Sequence, residues 1–420
     1  MRVQIEPSRY RAPAIAGLCA GVCVAATWPE AAGVERRLAI ASAWGGTGLL
    51  TASLLLMVRE PHLAQRLGGI EQMYRWHHRS GTTAYALLLI HPLALAFDAG
   101  PDPHAAWAAI TPADGGAPVA LGWASLALLM AGLLSTFAVA LRYRPWRALH
   151  SLLAVAVAVG LAHAFAVLGA TGVLVTVAVV CVAALVARFV VGELGLDSYP
   201  YVVARVAHPS SGTVEATIRP LSVPIRVAAG QFVLTAFGRG PRYRGCDEFH
   251  PFTVSRVGRD GTLDLAIRAL GACTDRLQAL APGTPLRLQG PFGDFIPEFL
   301  AAPQLWIAGG IGITPFMAAL RAGPLPADSV LIYLYRRASD ALFHDELTAS
   351  AAVLPGFRLI SVPAGDGTPD LGAVLSRVGG LAGREVRICG PRPMLDALLR
   401  ELRLRGVPEA SIHFERFDLR

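Results

Sequence analysis

Residues 74–97 read YRWHHRSGTTAYALLLIHPLALAF, with Arg75 and Arg79 at one end and an apolar run from Thr82 to Phe97. Length and composition are those of a membrane-spanning helix. Its unusual content is histidine. His77 and His78 lie at the basic end, and His91 lies deep in the apolar run. A second stretch, residues 150–165, repeats the arrangement as HSLLAVAVAVGLAHAF, with His150 opening it and His163 inside it. An ionisable side chain at membrane depth is costly, so each imidazole is a functional candidate.

Spacing sharpens the reading. His77 and His91 are 14 positions apart, a rise of about 21 Å with the rings about 40° apart on one face. His150 and His163 are 13 positions apart, a rise of about 20 Å but about 140° of rotation. That misfit calls for a local change of winding, for which Gly160 is a candidate place. His78 to His91 is also 13 steps, so spacing does not choose between His77 and His78. Imidazoles at matched heights on two helices are a pattern for two haems held one above the other. Interhelical hydrogen bonding and proton conduction are the alternative uses.

Around these stretches the 420 residues are 54% hydrophobic and 16% charged. The apolar excess lies before about residue 195, so a membrane half precedes a soluble one. The net charge is +7 and the chain has no lysine. Arginines in the first half cluster at helix ends, which reads as a topology signal rather than a nucleic-acid patch. Six spans are expected, over residues 12–28, 38–58, 74–97, 119–141, 149–168 and 173–191. The first resembles a signal peptide in its charge pattern, but five further spans favour an uncleaved helix. Arg2, Arg9 and Arg11, then Arg59, Arg66, Arg75 and Arg79, then Arg142, Arg144 and Arg147 fall on one side. The other side carries Arg36 and Arg37 offset by Glu30 and Glu35, then Asp98, Asp102 and Asp114. Both termini are therefore expected in the cytoplasm of a cell (inner) membrane protein surrounded by lipid. His77 and His150 then share the inner level, and His91 and His163 the outer. Cys19, Cys23 and Cys181 lie in spans, and Cys246, Cys273 and Cys389 in the cytoplasmic half. No disulfide is expected, and no Cys/His metal spacing is visible.

After Asp197 short strands alternate with turns, at residues 201–207, 213–219, 232–237, 252–257, 263–268 and 286–288. They predict an antiparallel barrel. It contains His250-Pro251-Phe252-Thr253 and the run from Arg268 through Gly271 to Thr274, where a strand gives way to a helix start. Free amides there and the nearby arginine suit a pyrophosphate. Barrel core for Phe252 and a plain turn for Gly271 are the structural alternatives. From residue 305 the pattern becomes strand, turn, helix. The strand 305–308 runs into Gly309-Gly310-Ile311-Gly312-Ile313-Thr314-Pro315 and a helix over 316–322. Strands follow at 330–335, ending in Arg336-Arg337, at 358–362, and finally at 386–389, ending in Cys389-Gly390-Pro391 before a helix over 394–404. Strand–helix alternation implies a parallel sheet with ligands at its carboxyl edge.

The order of these motifs resembles the ferric reductase and NADPH oxidase family, over nearly the whole chain. The resemblance implies a membrane all-α six-helix dihaem bundle (residues 1–196). An antiparallel β-barrel FAD domain (197–299) and an α/β parallel-sheet nucleotide-binding domain (300–420) would follow, as in ferredoxin–NADP reductases. It implies two haem b groups, the inner on His77 and His150 and the outer on His91 and His163. Gly81, four positions on, favours His77 over His78. His250, Pro251, Phe252 and Thr253 would meet the flavin, Phe252 by packing and Thr253 by a hydrogen bond. Gly271 and Thr274 would hold the FAD pyrophosphate, with Arg268 where the family commonly has lysine. Gly309, Gly310, Gly312 and Thr314 would hold the nicotinamide dinucleotide, with Cys389, Gly390 and Pro391 near its nicotinamide. Phe417 matches the C-terminal aromatic that covers the flavin, although three residues follow it. Arg336 and Arg337 suit the 2′-phosphate of NADPH better than the free hydroxyl of NADH. The implied activity is electron transfer from cytoplasmic NAD(P)H through FAD and haems to an acceptor outside: oxygen, ferric iron or a partner redox protein. A proton channel, or a diaphorase on an inert anchor, would each explain only half of the motifs.

Overall fold

The computed structural model describes residues 8–30, 32–137, 141, 143–241, 245–246, 248–297, 300, 302–326, 328–365, 367 and 369–415. Arg2, Arg142 and Phe417 lie outside them.

Eight α-helices come first. They are α1 (Ser8–Ala26), α2 (Val34–Leu55), α3 (Pro61–Arg66), α4 (Ile70–Asp98), α5 (Pro103–Ile110), α6 (Pro112–Phe137), α7 (Tyr143–Leu168) and α8 (Gly172–Leu185). A π-helical turn, Val186–Glu193, extends α8. Five of these segments are long and apolar enough to cross a membrane, and α1 supplies a shorter apolar helix over Tyr10–Ala26. The six expected spans thus correspond to α1, α2, α4, α6, α7 and α8. Two short helices were not expected. Glu60 caps α3 by accepting from the His62 and Leu63 amides, with Pro61 in the first turn. Asp102 caps α5 in the same way. α2 packs along α4, and α6 along α7.

The second part is a closed barrel in the order β1-β2-β5-β4-β3-β6. Its strands are β1 (Tyr199–Ser210), β2 (Thr213–Pro220), β3 (Phe232–Phe237), β4 (His250–Val257), β5 (Leu263–Arg268) and β6 (Pro285–Phe292), all paired antiparallel, with α9 (Ala272–Leu277) after β5. All six residues of β3, FVLTAF, are buried. Val233 and Phe237 enter the barrel core, whereas Phe232, Leu234 and Ala236 pack outward on Leu56, Leu67, Ile70 and Met73 of the membrane half. Burial on both faces replaces the apolar–polar alternation of a half-exposed strand.

The third part is a parallel five-stranded sheet in the order β11-β10-β7-β8-β9. It comprises β7 (Gln304–Gly309), α10 (Thr314–Ala322), β8 (Ser329–Tyr335), α11 (His344–Val353), β9 (Phe357–Pro363), α12 (Leu371–Ser376), β10 (Glu385–Cys389), α13 (Arg392–Leu404) and β11 (Ile412–Glu415). The strand ending at Cys389 is not the last, as the sequence suggested: β11 adds an edge beside it. Its four residues are too few for periodicity to reveal.

Candidate functional site

Four membrane histidines form two levels. Nearer the barrel, His77 on α4 faces His150 on α7, with ring centroids 6.2 Å apart and planes at 71°. His77 Nδ1 lies 2.8 Å from the Ser53 carbonyl oxygen and 2.9 Å from its hydroxyl. At the other level His91 Nδ1 lies 2.9 Å from the Ala39 carbonyl, and His163 Nδ1 lies 2.7 Å from the Pro118 carbonyl. His150 Nδ1 is 3.4 Å from Thr136 Oγ1, and its ring stacks on Trp146. A neighbouring helix thus engages every Nδ1. An Nδ1–H donated to a carbonyl fixes the tautomer and leaves Nε2 as the basic, metal-binding nitrogen.

These residues fit a haem. Two imidazoles on opposite faces of one metal ion, each bound at about 2 Å with the ring centre about 1 Å behind the nitrogen, have centroids about 6 Å apart. The inner pair meets that distance. His78 is exposed on another face of α4. Gly81 lies against Ser53, its Cβ position 3.3 Å from the Ser53 hydroxyl that meets His77. The expected change of winding in the fifth span is not found. α7 is α-helical from Tyr143 to Leu168. Gly160 is instead a point of close approach, its Cβ position 2.9 Å from Ser125 Oγ on α6. The two α7 rings are both caught by α6, and Gly122 leaves room for the second: a Cβ there would lie 3.1 Å from the His163 ring.

In the barrel, β3 sets Phe232 opposite Thr253, Val233 opposite Phe252, Leu234 opposite Pro251 and Thr235 opposite His250. Thr253 is buried. Phe252 is half-buried, edge-on to Phe237 at 6.2 Å and packed on the barrel core. Beyond Arg268, Thr274 Oγ1 accepts from the Leu270 and Gly271 amides at 2.9 and 3.0 Å and donates to the Gly271 carbonyl. Thr274 therefore shapes the turn itself. Gly271 is exposed with open space at its Cβ position.

The nucleotide half brings its motifs to the same mouth. Gly310 has φ +55°, a left-handed conformation natural to glycine, and its Cβ position is 3.0 Å from Arg268 Nη1. A Cβ on Gly312 would overlap the Cys389 carbonyl, and one on Gly390 would lie 3.1 Å from Gly309 Cα. Thr314 is buried at the start of α10, and its hydroxyl donates to the Ile311 carbonyl at 3.1 Å. Pro391 caps α13. Burial pushes the Cys389 thiol far above its ordinary value. Arg268, the Gly309–Gly312 loop and the Cys389-Gly390-Pro391 turn thus converge at the carboxyl ends of β7 and β10, where parallel sheets bind ligands. Arg336 and Arg337 stand exposed just beyond β8 on that same edge. Glu346, a possible competitor for them, is taken by Arg321, whose Nε is 2.8 Å from it.

Two features were not legible. Glu415 is the register partner of Cys389 across β10 and β11. Burial, and then Glu71 and Asp294, push its carboxyl up to about 8. Its Oε2 has no hydrogen-bond partner among the described residues. A Cβ on Gly293 would lie 3.2 Å from Glu415 Oε1 and 3.3 Å from the Phe232 ring, which places the carboxyl near the Thr253 strand pair. The expectation of no disulfide is also corrected. Cys246 and Cys273 are joined, with Cα atoms 6.2 Å apart. Glu248 and His250 lie with them, and only with the bond reduced could the four hold a metal ion. The β3–β4 loop folds back onto α9, a contact that a separation of 27 residues conceals.

Comparison with known proteins agrees with both halves. Residues 42–161 match the family model described as ferric reductase like transmembrane component. The electron transfer component of toluate 1,2-dioxygenase from Pseudomonas putida is 30% identical over 234 residues, covering 52% of this chain and 67% of that protein. Ferredoxin–NADP reductase B of Sorangium cellulosum is 32% identical over 176 residues, covering 37% of this chain and 72% of that protein. The ferredoxin reductase component of 3-ketosteroid-9-alpha-monooxygenase from Mycolicibacterium smegmatis is 34% identical over 140 residues, 32% of this chain. Here the chain spans only 39% of its relative. An apolar helical half matching a ferric reductase component is fused to a barrel and parallel sheet matching FAD- and NAD(P)H-type reductases. The chain is therefore an integral-membrane flavoprotein oxidoreductase, and it belongs to the ferric reductase and NADPH oxidase type of fusion.

Proposed function

We propose that this protein passes electrons from cytoplasmic NAD(P)H, by way of FAD and two b-type haems, to an acceptor on the outer side. The observation that carries the proposal is the pair of histidine levels, each Nδ1 engaged by a neighbouring helix. When bound, the flavin supplies exchange between a two-electron donor and single-electron carriers, and the haems supply single-electron transfer across the membrane. His77 and His150 would hold the inner haem, and His91 and His163 the outer. The acceptor would receive single electrons from the group held by His91 and His163. It is a small molecule, oxygen or a ferric chelate, or a partner redox protein.

Thr253 and Phe252 position the flavin ring; the covering aromatic that the resemblance assigns to Phe417 lies outside the described residues. Arg268 and the turn Gly271–Thr274 neutralise the diphosphate, while the Gly309–Gly312 loop admits the nicotinamide dinucleotide. Glu415, whose carboxyl burial pushes up to about 8, stands beside that mouth. The barrel end is the inner end. There Arg59, Arg147 and Arg188 converge on Glu193, the arginine-rich pattern of a cytoplasmic face. At the opposite end Arg36 is offset by Asp98 at 2.8 Å. Exposed Leu18, Val22, Val175, Val179 and Val182 on α1 and α8 meet lipid.

Sealed vesicles of both orientations test the direction of transfer. Inverted vesicles should oxidise externally added NADPH and reduce an acceptor trapped inside. Right-side-out vesicles should reduce an external ferric chelate only when NADPH is trapped within. External NADPH reducing an external acceptor equally well in both would overturn the proposed path.

A further inference from the structure

Cys246 and Cys273 stand beside the machinery described above without being part of it. Each sulfur has a polar neighbour of the kind that makes a cysteine reactive. His250 Nε2 lies 3.6 Å from Cys246 Sγ. Glu248 Oε2 lies 4.0 Å from that same nitrogen. Arg276 Nη2 lies 3.6 Å from Cys273 Sγ. All four members of the cluster are half-buried, so small reagents reach them. Burial holds the His250 imidazole below its ordinary value, against an opposing pull from Glu248. A thiol with an adjacent base, a carboxylate beside the same ring nitrogen and a second thiol within bonding reach are the parts of a redox-responsive site.

We propose that Cys246 and Cys273 are a reversible thiol–disulfide site oxidised by hydrogen peroxide, in which His250 takes the Cys246 proton and Cys273 resolves the product. The Cys246 thiolate attacks one peroxide oxygen. An S–O bond forms, the O–O bond breaks, and the leaving hydroxide takes the proton held by His250 and departs as water. Cys273 then attacks the Cys246 sulfur. The S–S bond forms, the S–O bond breaks, and the oxygen leaves with the Cys273 proton as a second water. Two sulfurs lose two electrons and the peroxide gains two. A cytosolic dithiol pool returns the pair to thiols. The bond ties the loop before His250-Pro251-Phe252-Thr253 to the turn after Arg268, so its state governs how far those segments separate.

The test uses the purified full chain, reduced with dithiothreitol, desalted and exposed to hydrogen peroxide. Alkylation and peptide mass spectrometry then read each cysteine, which requires neither bound flavin nor bound haem. Cys246 and Cys273 should become refractory together, about tenfold faster than Cys19, Cys23, Cys181 and Cys389, and dithiothreitol should restore both. In Cys273→Ser, Cys246 should be trapped as a sulfenic acid that dimedone labels. In Cys246→Ser, Cys273 should stay alkylatable, and Glu248→Gln should slow oxidation several-fold. Equal rates at all six cysteines, or unchanged oxidation of Cys273 in Cys246→Ser, would overturn the proposal. So would protection of both thiols by added zinc with no bond formed by peroxide, which would make the cluster a metal cage.

Discussion

At the scale of the residue, two side-chain environments lead to measurements. Glu415 is held up to about 8 by burial and its acidic neighbours, whereas an unfolded glutamate titrates near about 4.3. The folded chain therefore keeps a proton that the unfolded chain has released. Stability is greatest below the unfolded value and falls as pH rises toward about 8, levelling beyond it. Thermal unfolding of the solubilised protein should show the midpoint declining between pH 6 and pH 8. Glu415→Gln should flatten that decline, and an identical slope in the variant would refute the assignment. The second environment is the pair Arg336 and Arg337, exposed at the edge of β8. If both reach a 2′-phosphate, the contact favours NADPH by about 1.5–3 kcal/mol, roughly 10- to 150-fold in kcat/KM. The double variant Arg336→Ala, Arg337→Ala should lose that preference while NADH oxidation stays level. A wild type that already uses NADH equally well would remove these arginines from donor selection.

At the scale of the element, the barrel and the nucleotide sheet are joined by α10 against β4 and by arginines, Arg321 foremost. Arg321 is 10% exposed and meets Glu215, 11% exposed, at 3.5 Å, while also holding Glu346. Its Nη1 donates to the Ser255 carbonyl at 3.1 Å, and its guanidinium lies 4.5 Å from the centre of the Phe343 ring. Removing it strands a buried carboxylate. Burial outweighs the opposing pull of Arg321 and raises Glu215 above its ordinary value. Arg321→Ala should cost about 3–5 kcal/mol, and adding Glu215→Met should recover a large part. Thermal unfolding of the three proteins checks this; a loss under about 1 kcal/mol would place the pair among weak surface bridges. Elements this long were legible beforehand. Barrel strands β2, β3 and β5 and sheet strand β8 lie within a residue or so of their predicted bounds, because turn residues punctuate them sharply. Four-residue β11 was not legible, and neither were α3 and α5, since one or two turns of helix leave no periodic trace.

At the scale of the whole molecule, what could be read was what repeats along the chain, and what could not was what meets across it. The two histidine intervals on α4 and α7 are sequence distances, and they placed the candidate haem site before any contact was known. Their choice of Nδ1 partners was invisible, because Ser53, Ala39 and Pro118 contribute backbone carbonyls that carry no residue signature. The seat of the barrel on the membrane half was hidden for a related reason. The outward face of β3 is apolar like its inward face, and only the structure shows Leu56, Ile70 and Met73 covering it. Gln289, buried at β6, ties that junction by donating to the Gly192 carbonyl at 2.8 Å and to Asp197 at 2.7 Å. The Cys246–Cys273 contact belongs to the same class of cross-chain fact.

The central claim is that His77 with His150, and His91 with His163, hold two haems between α4 and α7. Its most direct measurement is the reduced-minus-oxidised spectrum and haem stoichiometry of the purified protein beside its His91→Ala variant. The account predicts low-spin b-type haem, two per chain and extractable without breaking a covalent bond. It predicts about one per chain in His91→Ala, with flavin reduction by NAD(P)H intact. A protein without haem, or a His91→Ala variant that keeps both, would contradict it.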